Sequence, residues 1–402
     1  MAMRSTPRLC GFVMAAALAG GWGFSAASAK TYGFVATYIY HDVYDKNPKA
    51  CPSGMNQSLA ELFVANASPA ERTYFSNPDH ARELIFGKPA LNERGQLACL
   101  DPDGPIRPAL APPFKVVQGN GPSFGLNLDG RVSSKDFQSL DGKPGVDNEF
   151  YRVIGCTDGY RPGGILPEGG FGSEMINGSW TFTFEIDDAD NLENDNDVTV
   201  YFYSAQDAAP FTSERVPIPN RSLSITNDRR YWARAKGKIV NGVLKTEPTD
   251  VRFLVAATKG REDNPDGAKQ NGRDFLLRGG RLELKLQPDG TTEGALAGYN
   301  DLATFEQSFI KLGGSRTGSA GSSFVIHYSC PSLKRALVEY ADGYPDPKTG
   351  KFTAISAAFH IKAVPAFLIK GGEGSGVTAA QQWSEPPHAS PSGGSKPLAG
   401  SK

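Results

Sequence analysis

The sequence predicts a mainly β protein, with an antiparallel β-sandwich or jelly-roll-like core and a small helical segment ahead of it. Apolar residues occupy every second position in residues 180–186, 198–203 and 281–286, which is the pattern of half-buried strands. Asn241-Gly242 has the composition of a primed hairpin turn, and Pro288-Asp289-Gly290 marks another turn. Short strands between frequent turns favour a sandwich or jelly roll over a βαβ sheet.

The chain begins with the pattern of an export signal. Arg4 and Arg8 precede a short apolar stretch, and Ala27-Ser28-Ala29 has the small-x-small form of a cleavage site. The apolar stretch is shorter than the roughly 20 residues that cross a bilayer, which disfavours the alternative of a membrane anchor. We therefore expect residues 1–29 to be a signal peptide, and the protein to be periplasmic or secreted.

Three further regions follow the signal. Residues 30–113 contain helical patterns at 58–65, at the Ser68–Glu71 capping box and from Pro78, and they end in a proline-rich connector. Residues 114–370 hold the period-two strands and form the predicted β-domain. Residues 371–402 are rich in Gly, Ser and Pro, so we expect a disordered tail.

Charge and motifs exclude several classes of partner and cofactor. The formal net charge is −1, so bulk charge provides no basis for binding nucleic acid or an anionic membrane. No later segment is long and apolar enough to span a membrane. The sequence contains no haem, nucleotide or flavin signature.

Cys51, Cys99, Cys156 and Cys330 remain after removal of the signal peptide. Their wide spacing excludes redox and zinc-knuckle motifs, and an oxidising compartment favours disulfides. Three connectivities are open, of which we favour Cys51–Cys99 with Cys156–Cys330, because each pair would close one region on itself. Buried free thiols are the alternative.

Two acidic loops suggest a bound cation. The run 185–197 is dense in Asp, Glu and Asn without Lys or Arg, and a second set around 127–149 places acids beside glycines. Ca²⁺ takes six to eight oxygen ligands of this kind, although a solvated acidic turn explains the same composition. The residues expected to bind Ca²⁺ are Asp129, Asp147, Asn148, Asp188, Asp190, Asp195 and Asp197.

The sequence patterns that suggest catalysis are weaker than those that suggest a bound cation. Residues 121–125 match the letters of a G-x-S-x-G elbow, but a strand and turn follow where that motif needs a helix. His41 lies near Asp42 and Asp45, an arrangement able to bind a transition metal or to perform acid–base chemistry. Paired carboxylates acting on a glycosidic bond are a further possibility.

Three segments carry a resemblance to known sequences. Residues 145–156, 51–56 and 194–200 resemble a group of uncharacterised exported proteobacterial proteins. The resemblance implies an exported β-rich protein and transfers no catalytic residue. The sequence therefore favours a non-catalytic binding or accessory protein of the cell envelope, with a protein, glycan or small molecule as partner. The alternative is a periplasmic hydrolase that uses paired carboxylates or a metal near His41.

Overall fold

The computed structural model describes residues 30–80, 83, 91–162, 175, 180–255, 273–311 and 328–371. The predicted signal peptide, most of the third predicted helix and nearly all of the predicted disordered tail lie outside these residues. None of the helices in the described ranges has the length and apolar character needed to cross a membrane.

The described part of the chain is built mainly from strands. They are β1 (Lys30–Tyr40), β2 (Phe137–Gln138), β3 (Pro144–Val146), β4 (Phe182–Ala189), β5 (Asp195–Ser204), β6 (Arg221–Ser224), β7 (Trp232–Val240), β8 (Val243–Thr246), β9 (Thr249–Val255), β10 (Arg273–Leu286), β11 (Thr292–Asp301), β12 (Gly343–Pro345) and β13 (Phe352–Ile369). The α-helices are α1 (Leu59–Ala65), α2 (Pro69–Phe75), α3 (Glu149–Ile154), α4 (Leu302–Phe305) and α5 (Cys330–Glu339). Single 3₁₀ turns cover Pro78–His80, Pro108–Leu110, Asp158–Tyr160 and Arg229–Tyr231, and a π-helical turn covers Glu306–Lys311.

Eight of these strands form a closed antiparallel barrel in the order β1, β4, β5, β7, β8, β10, β11 and β13. Closure comes from the pairing of β13 with β1, the last and first strands of the barrel. The mainly β class is confirmed, but the predicted sandwich or jelly roll is wrong. Period-two alternation reports only that one face of each strand is buried, and a barrel interior satisfies that pattern as well as two facing sheets do.

The barrel interior is filled by aromatic side chains. Phe34 on β1 stacks on Phe184 of β4, with ring centroids 4.9 Å apart. Phe253 contacts both Phe275 and Phe359, at 5.6 and 6.4 Å between centroids. All five rings are almost completely buried. The interior is therefore a packed core rather than a container for a ligand.

A β-bulge in β1 changes which side chains face outward. The register of β1 against β13 shifts between Ala36 and Tyr38, so that Thr37 is the extra residue. Without this extra residue, Tyr38 and Tyr40 would share the inward face with Phe34. The bulge places both tyrosines on the outside of the barrel instead.

Several local predictions are confirmed. The helix expected at residues 58–65 is α1, and the expected capping box of Ser68 and Glu71 begins α2. Ser58 and Glu61 form a second capping box at α1, which was not predicted from the sequence. Residues 241–242 connect β7 to β8 in left-handed backbone conformations, with φ of 52° and 72°, as a primed turn requires. However, β1 belongs to the barrel although it lies within the segment assigned to the helical region.

Two disulfides are present, as predicted, but the favoured connectivity is wrong. Cys51 is bonded to Cys156 and Cys99 to Cys330. The segment after β1 runs beside the end of α3, where the backbone amide of Asn56 donates to the carbonyl of Cys156 over 2.8 Å. Regions distant in sequence are thus adjacent in space, and each disulfide joins two of them.

Peptide mapping under non-reducing conditions checks this connectivity. We expect proteolytic fragments containing Cys51 to be linked to those containing Cys156. The double substitution Cys51→Ala with Cys156→Ala should lower stability by about 4 kcal/mol, because the bridge closes a long loop in the unfolded chain. A fragment linking Cys51 to Cys99 would contradict the structure.

Candidate functional site

A groove of about 330 Å³ lies on the outside of the barrel, beside the end of β1. Its floor is formed by Tyr40 and Tyr160, whose side chains are nearly inaccessible and stack with ring centroids 6.2 Å apart. Its walls are the half-buried rings of Tyr38, Tyr44 and Phe124. A small concave site lined by aromatic rings is typical of ligand-binding pockets.

The end of β1 and the residues after it supply most of this groove. Tyr38, Tyr40 and Asp42 line it in alternation, whereas the side chains of Ile39 and His41 point to the opposite side, into the core. This is the two-residue period of an extended chain. The bulge at Thr37 determines which residues of this alternation point outward, and as a result these three side chains face the groove.

Asp42 is held in the groove wall by two hydrogen bonds. The Tyr38 hydroxyl donates to Asp42 Oδ1 over 2.6 Å. Asp42 Oδ2 lies 2.5 Å from Nδ1 of His360, a residue on the outer face of β13. The other ring nitrogen of His360, Nε2, lies 2.8 Å from Glu293 Oε1 on β11. His360 therefore bridges two carboxylates that come from different strands.

These contacts determine the charge of His360. Burial alone would lower the pKa of its imidazole, but the hydrogen bonds and charges of Asp42 and Glu293 outweigh burial and raise that pKa above its usual value. Both nitrogens face carboxylate oxygens, so the ring has a partner for each of its two protons when it is charged. Lys362 adds a second cation 3.4 Å from Glu293. Negative and positive groups thus alternate from Asp42 to Lys362.

Aromatic rings cover the remaining faces of His360. Phe124 stacks on the imidazole at 5.7 Å between centroids, and Tyr38 meets it edge-on at 5.3 Å. Only 17% of the His360 side chain is exposed. These packing contacts fix the ring plane, and the two carboxylates fix its rotation.

His41, which the sequence put forward as a metal ligand or acid–base group, lies in the core. Its ring packs on Phe359 and Phe150, at 3.8 and 4.3 Å between centroids. Its Nδ1 lies 3.1 Å from the carbonyl oxygen of Ala358, and Nε2 faces Asn300 at 3.5 Å. Burial lowers the pKa of His41 to about 3, which keeps the ring neutral at physiological pH. Asp42, its neighbour in sequence, points outward to His360 instead.

The first acidic loop is the hairpin between β4 and β5. Asp195 accepts hydrogen bonds from the backbone amides of Asp190 and Asp197, at 2.7 and 3.0 Å. Asp197 pairs with Lys236 over 2.6 Å. Asp188 is exposed, with a left-handed φ of 61°. The carboxylates of Asp195 and Asp197 therefore face donors supplied by the protein.

The second acidic set lies elsewhere on the barrel. Asp147 Oδ2 accepts from the amide of Leu128 over 2.6 Å and from that of Asp129 over 3.2 Å. Burial raises the pKa of Asp147, and these amides lower it in part. Asn148 caps α3 by accepting from the amide of Tyr151.

The structure does not bring the two acidic sets together. The second set lies beside β13, where the hydroxyl of Ser356 accepts a hydrogen bond from the amide of Glu149. The first set lies at the start of β1, where Lys30 pairs with Ala189. In the described ranges, no group of three or more His, Cys, Asp or Glu side chains is arranged to hold a metal ion.

Sequence reasoning missed the two residues that complete the site, His360 and Glu293. His360 lies 318 positions from Asp42 in the chain and 67 from Glu293. It lies on β13 between the buried residues Phe359 and Ile361, where a polar outward residue is unremarkable. The pairing of β11 with β13 brings Glu293 to His360, and the closure of the barrel by β1 adds Asp42.

No protein-family model matches the chain, and comparisons with curated proteins and with solved structures find no match.

The charge state of His360 is directly measurable. In an NMR titration of the histidine ring protons, the midpoint for His360 should lie above the usual value of about 6.5, while His41 should not titrate between pH 5 and pH 9. Because folding raises the pKa of His360, the charged imidazole stabilises the folded state fully at pH values below the pKa of the unfolded chain. This stabilisation is lost as the pH rises through the pKa of the folded state. A midpoint at or below the usual value would show that the two carboxylates do not hold the charged ring.

The acidic hairpin offers a test of the predicted calcium site. Asp195→Ala should lower stability by about 1 kcal/mol, equally in EDTA and in added Ca²⁺, because the lost partners are backbone amides. Glu193→Ala removes the same charge from the same loop, at an exposed residue outside the expected calcium ligands, and serves as the matched control. Thermal melts of both variants in EDTA and in added Ca²⁺ measure the loss of stability. A loss of stability seen only in added Ca²⁺ would support calcium binding at this loop instead.

Proposed function

We propose that this protein is an exported, non-catalytic binding protein of the cell envelope, and that its groove takes a neutral sugar ring. The observation that carries the proposal is the combination of aromatic walls with charged groups that are already paired. The two disulfides are consistent with a secreted or periplasmic location, and an accessory role beside another exported protein fits this proposal.

The pairing of charges favours a neutral ligand. Asp42 faces His360, and Glu293 faces both His360 and Lys362. On the rim, the carboxylate of Asp45 is followed in sequence by the ammonium group of Lys46, and both side chains are exposed. An ionic ligand would gain little from such a balanced field, whereas a neutral one would avoid the cost of desolvating an unpaired charge.

The aromatic walls favour a ring with an apolar face and polar edges. Tyr38, Tyr44 and Phe124 offer ring surfaces, and the hydroxyl and carboxylate groups beside them offer hydrogen bonds. Aromatic side chains provide a large apolar contact at low conformational cost, with a polar handle in tyrosine. A sugar ring, with C–H groups on its faces and hydroxyls on its edge, matches both features.

A hydrolase is a second proposal, because Asp42 and Asp45 both line the groove. Two carboxylates beside one sugar are the requirement of glycoside hydrolysis. The contacts of Asp42 weaken this alternative: one oxygen accepts from Tyr38 and the other faces His360. His360 has a carboxylate at each nitrogen, so neither nitrogen is free to take a substrate proton.

Ligand-observed NMR tests the proposal on methyl glycosides of glucose, galactose and N-acetylglucosamine, with glucuronate and glucosamine as charged counterparts. We expect saturation transfer from the protein to at least one neutral glycoside and weaker transfer to its charged counterpart. Tyr44→Ala should weaken binding about tenfold, the effect of losing one aromatic contact.

Tyr74→Ala is the matched control, because Tyr74 is an exposed tyrosine on α2, outside the groove. It should leave the affinity unchanged. Binding of none of the neutral glycosides would contradict the proposal, and so would equal losses in the two variants. Release of a free sugar from an aryl glycoside, abolished by Asp45→Asn, would support the hydrolase instead.

A further inference from the structure

A second hollow, of about 620 Å³, lies on the outer surface next to the groove. Thr37 of β1, Lys362 of β13 and Glu293 of β11 form one side of it, and Gln287 and Thr291 of the β10–β11 turn form the other. Among the described residues, its lining combines hydroxyl, amide and charged side chains with Pro217, Pro288, Ala363 and Val364 and contains no aromatic ring, whereas five of the side chains that line the groove are aromatic. The two concavities therefore offer different kinds of contact.

A narrow ridge separates the hollow from the groove. Asp42 lines the groove and Glu293 lines the hollow, and both bond to the same imidazole of His360. Two hydrogen bonds and the width of one ring place these carboxylates roughly 7 Å apart. The ammonium group of Lys362, which also lines the hollow, lies 5.9 Å from the centre of the Tyr38 ring in the groove wall.

We infer that the ligand is an oligosaccharide, with one ring against the aromatic walls of the groove and the following rings across the His360 ridge in the polar hollow. This inference rests on the proposed function of the groove. It adds the length of the ligand and a second set of contacting residues, those around Gln287 and Thr291.

The character of each concavity supports this division. The groove encloses its ligand between ring faces, which suits the first ring of a chain. The hollow offers the amide of Gln287. The hydroxyls of Thr37 and Thr291 donate to the Lys362 carbonyl and to Asp289, and their oxygens can still accept from the hydroxyl-rich edges of rings that remain partly in water. The ridge is electrically balanced, because the carboxylates of Asp42 and Glu293 face the cationic groups of His360 and Lys362. A neutral chain can therefore cross it without exposing an unpaired charge.

Chain-length dependence of affinity tests the inference. Glucose and N-acetylglucosamine oligomers, from monomer to hexamer, are titrated by calorimetry into the wild-type protein. We expect affinity to rise about tenfold or more between the monomer and the trimer and then to level off, because further rings lie beyond the hollow. A tenfold change corresponds to about 1.4 kcal/mol.

Gln287→Trp identifies the hollow as the source of this gain. The bulky ring should obstruct the path of the sugar chain across the hollow, abolish the rise with chain length and leave monomer affinity within about twofold of wild type. Gln206→Trp, at an exposed glutamine outside both concavities, is the control and should retain the rise. Thermal melts of both variants establish that they are folded.

The outcomes separate the two proposals. If monomers bind and Tyr44→Ala weakens them, but longer chains bind no tighter, the inference fails and the proposed function stands. Persistence of the rise in Gln287→Trp also overturns the inference, because the extra rings would then contact another surface. Absence of binding by every oligomer overturns both.

Discussion

The pairing of β1 with β13 is the constraint on which the rest of the structure depends. It closes the barrel, so that neither strand has an open edge, and it sets the outward residues of the two strands side by side. The bulge at Thr37 then turns Tyr38 and Tyr40 to the outside of the barrel. Without closure, β1 and β13 would be opposite edges of the sheet, and Asp42, which follows β1, would have no contact with His360 of β13.

Short-range features of the fold could be predicted from sequence. The capping boxes of α1 and α2 lie within four residues, and the turn at Asn241-Gly242 depends on two backbone conformations that these residues adopt readily. The strand pattern of residues 180–186 is likewise local. In each case, the physical cause of the structure is contained in the segment that displays it.

Features that depend on distant pairing could not be predicted in the same way. Alternation in residues 180–186, 198–203 and 281–286 predicts strands but not their neighbours, so it does not distinguish a barrel from a sandwich. Cys51 and Cys156 are separated by 105 positions, and spacing carries no information on which of three connectivities forms. The acids that follow His41 in sequence suggest a reactive histidine. In the structure, however, His41 is buried in the core, and His360 is the histidine that contacts Asp42.

The site therefore depends both on the barrel strands and on the segments that cover them. Among the aromatic rings around the groove, Tyr38 and Tyr40 come from β1, and the others come from segments that cover the barrel. The charged ridge is formed by His360 of β13, Glu293 of β11 and Asp42, which follows β1. Because the imidazole bonds to both carboxylates, a change in its position moves the wall of the groove and the edge of the hollow together. The groove and the hollow are therefore adjacent parts of one surface, and they share the ridge as a common wall.

Nuclear Overhauser effects between β1 and β13 in isotope-labelled protein test the central claim most directly. The register predicts backbone contacts between Ile39 and Ile361 and between Tyr40 and His360. Their observation would establish both the closure and the phase that turns Tyr40 outward. Contacts of β1 with β4 alone, together with contacts of β13 with β11 alone, would show an open sheet and contradict the account.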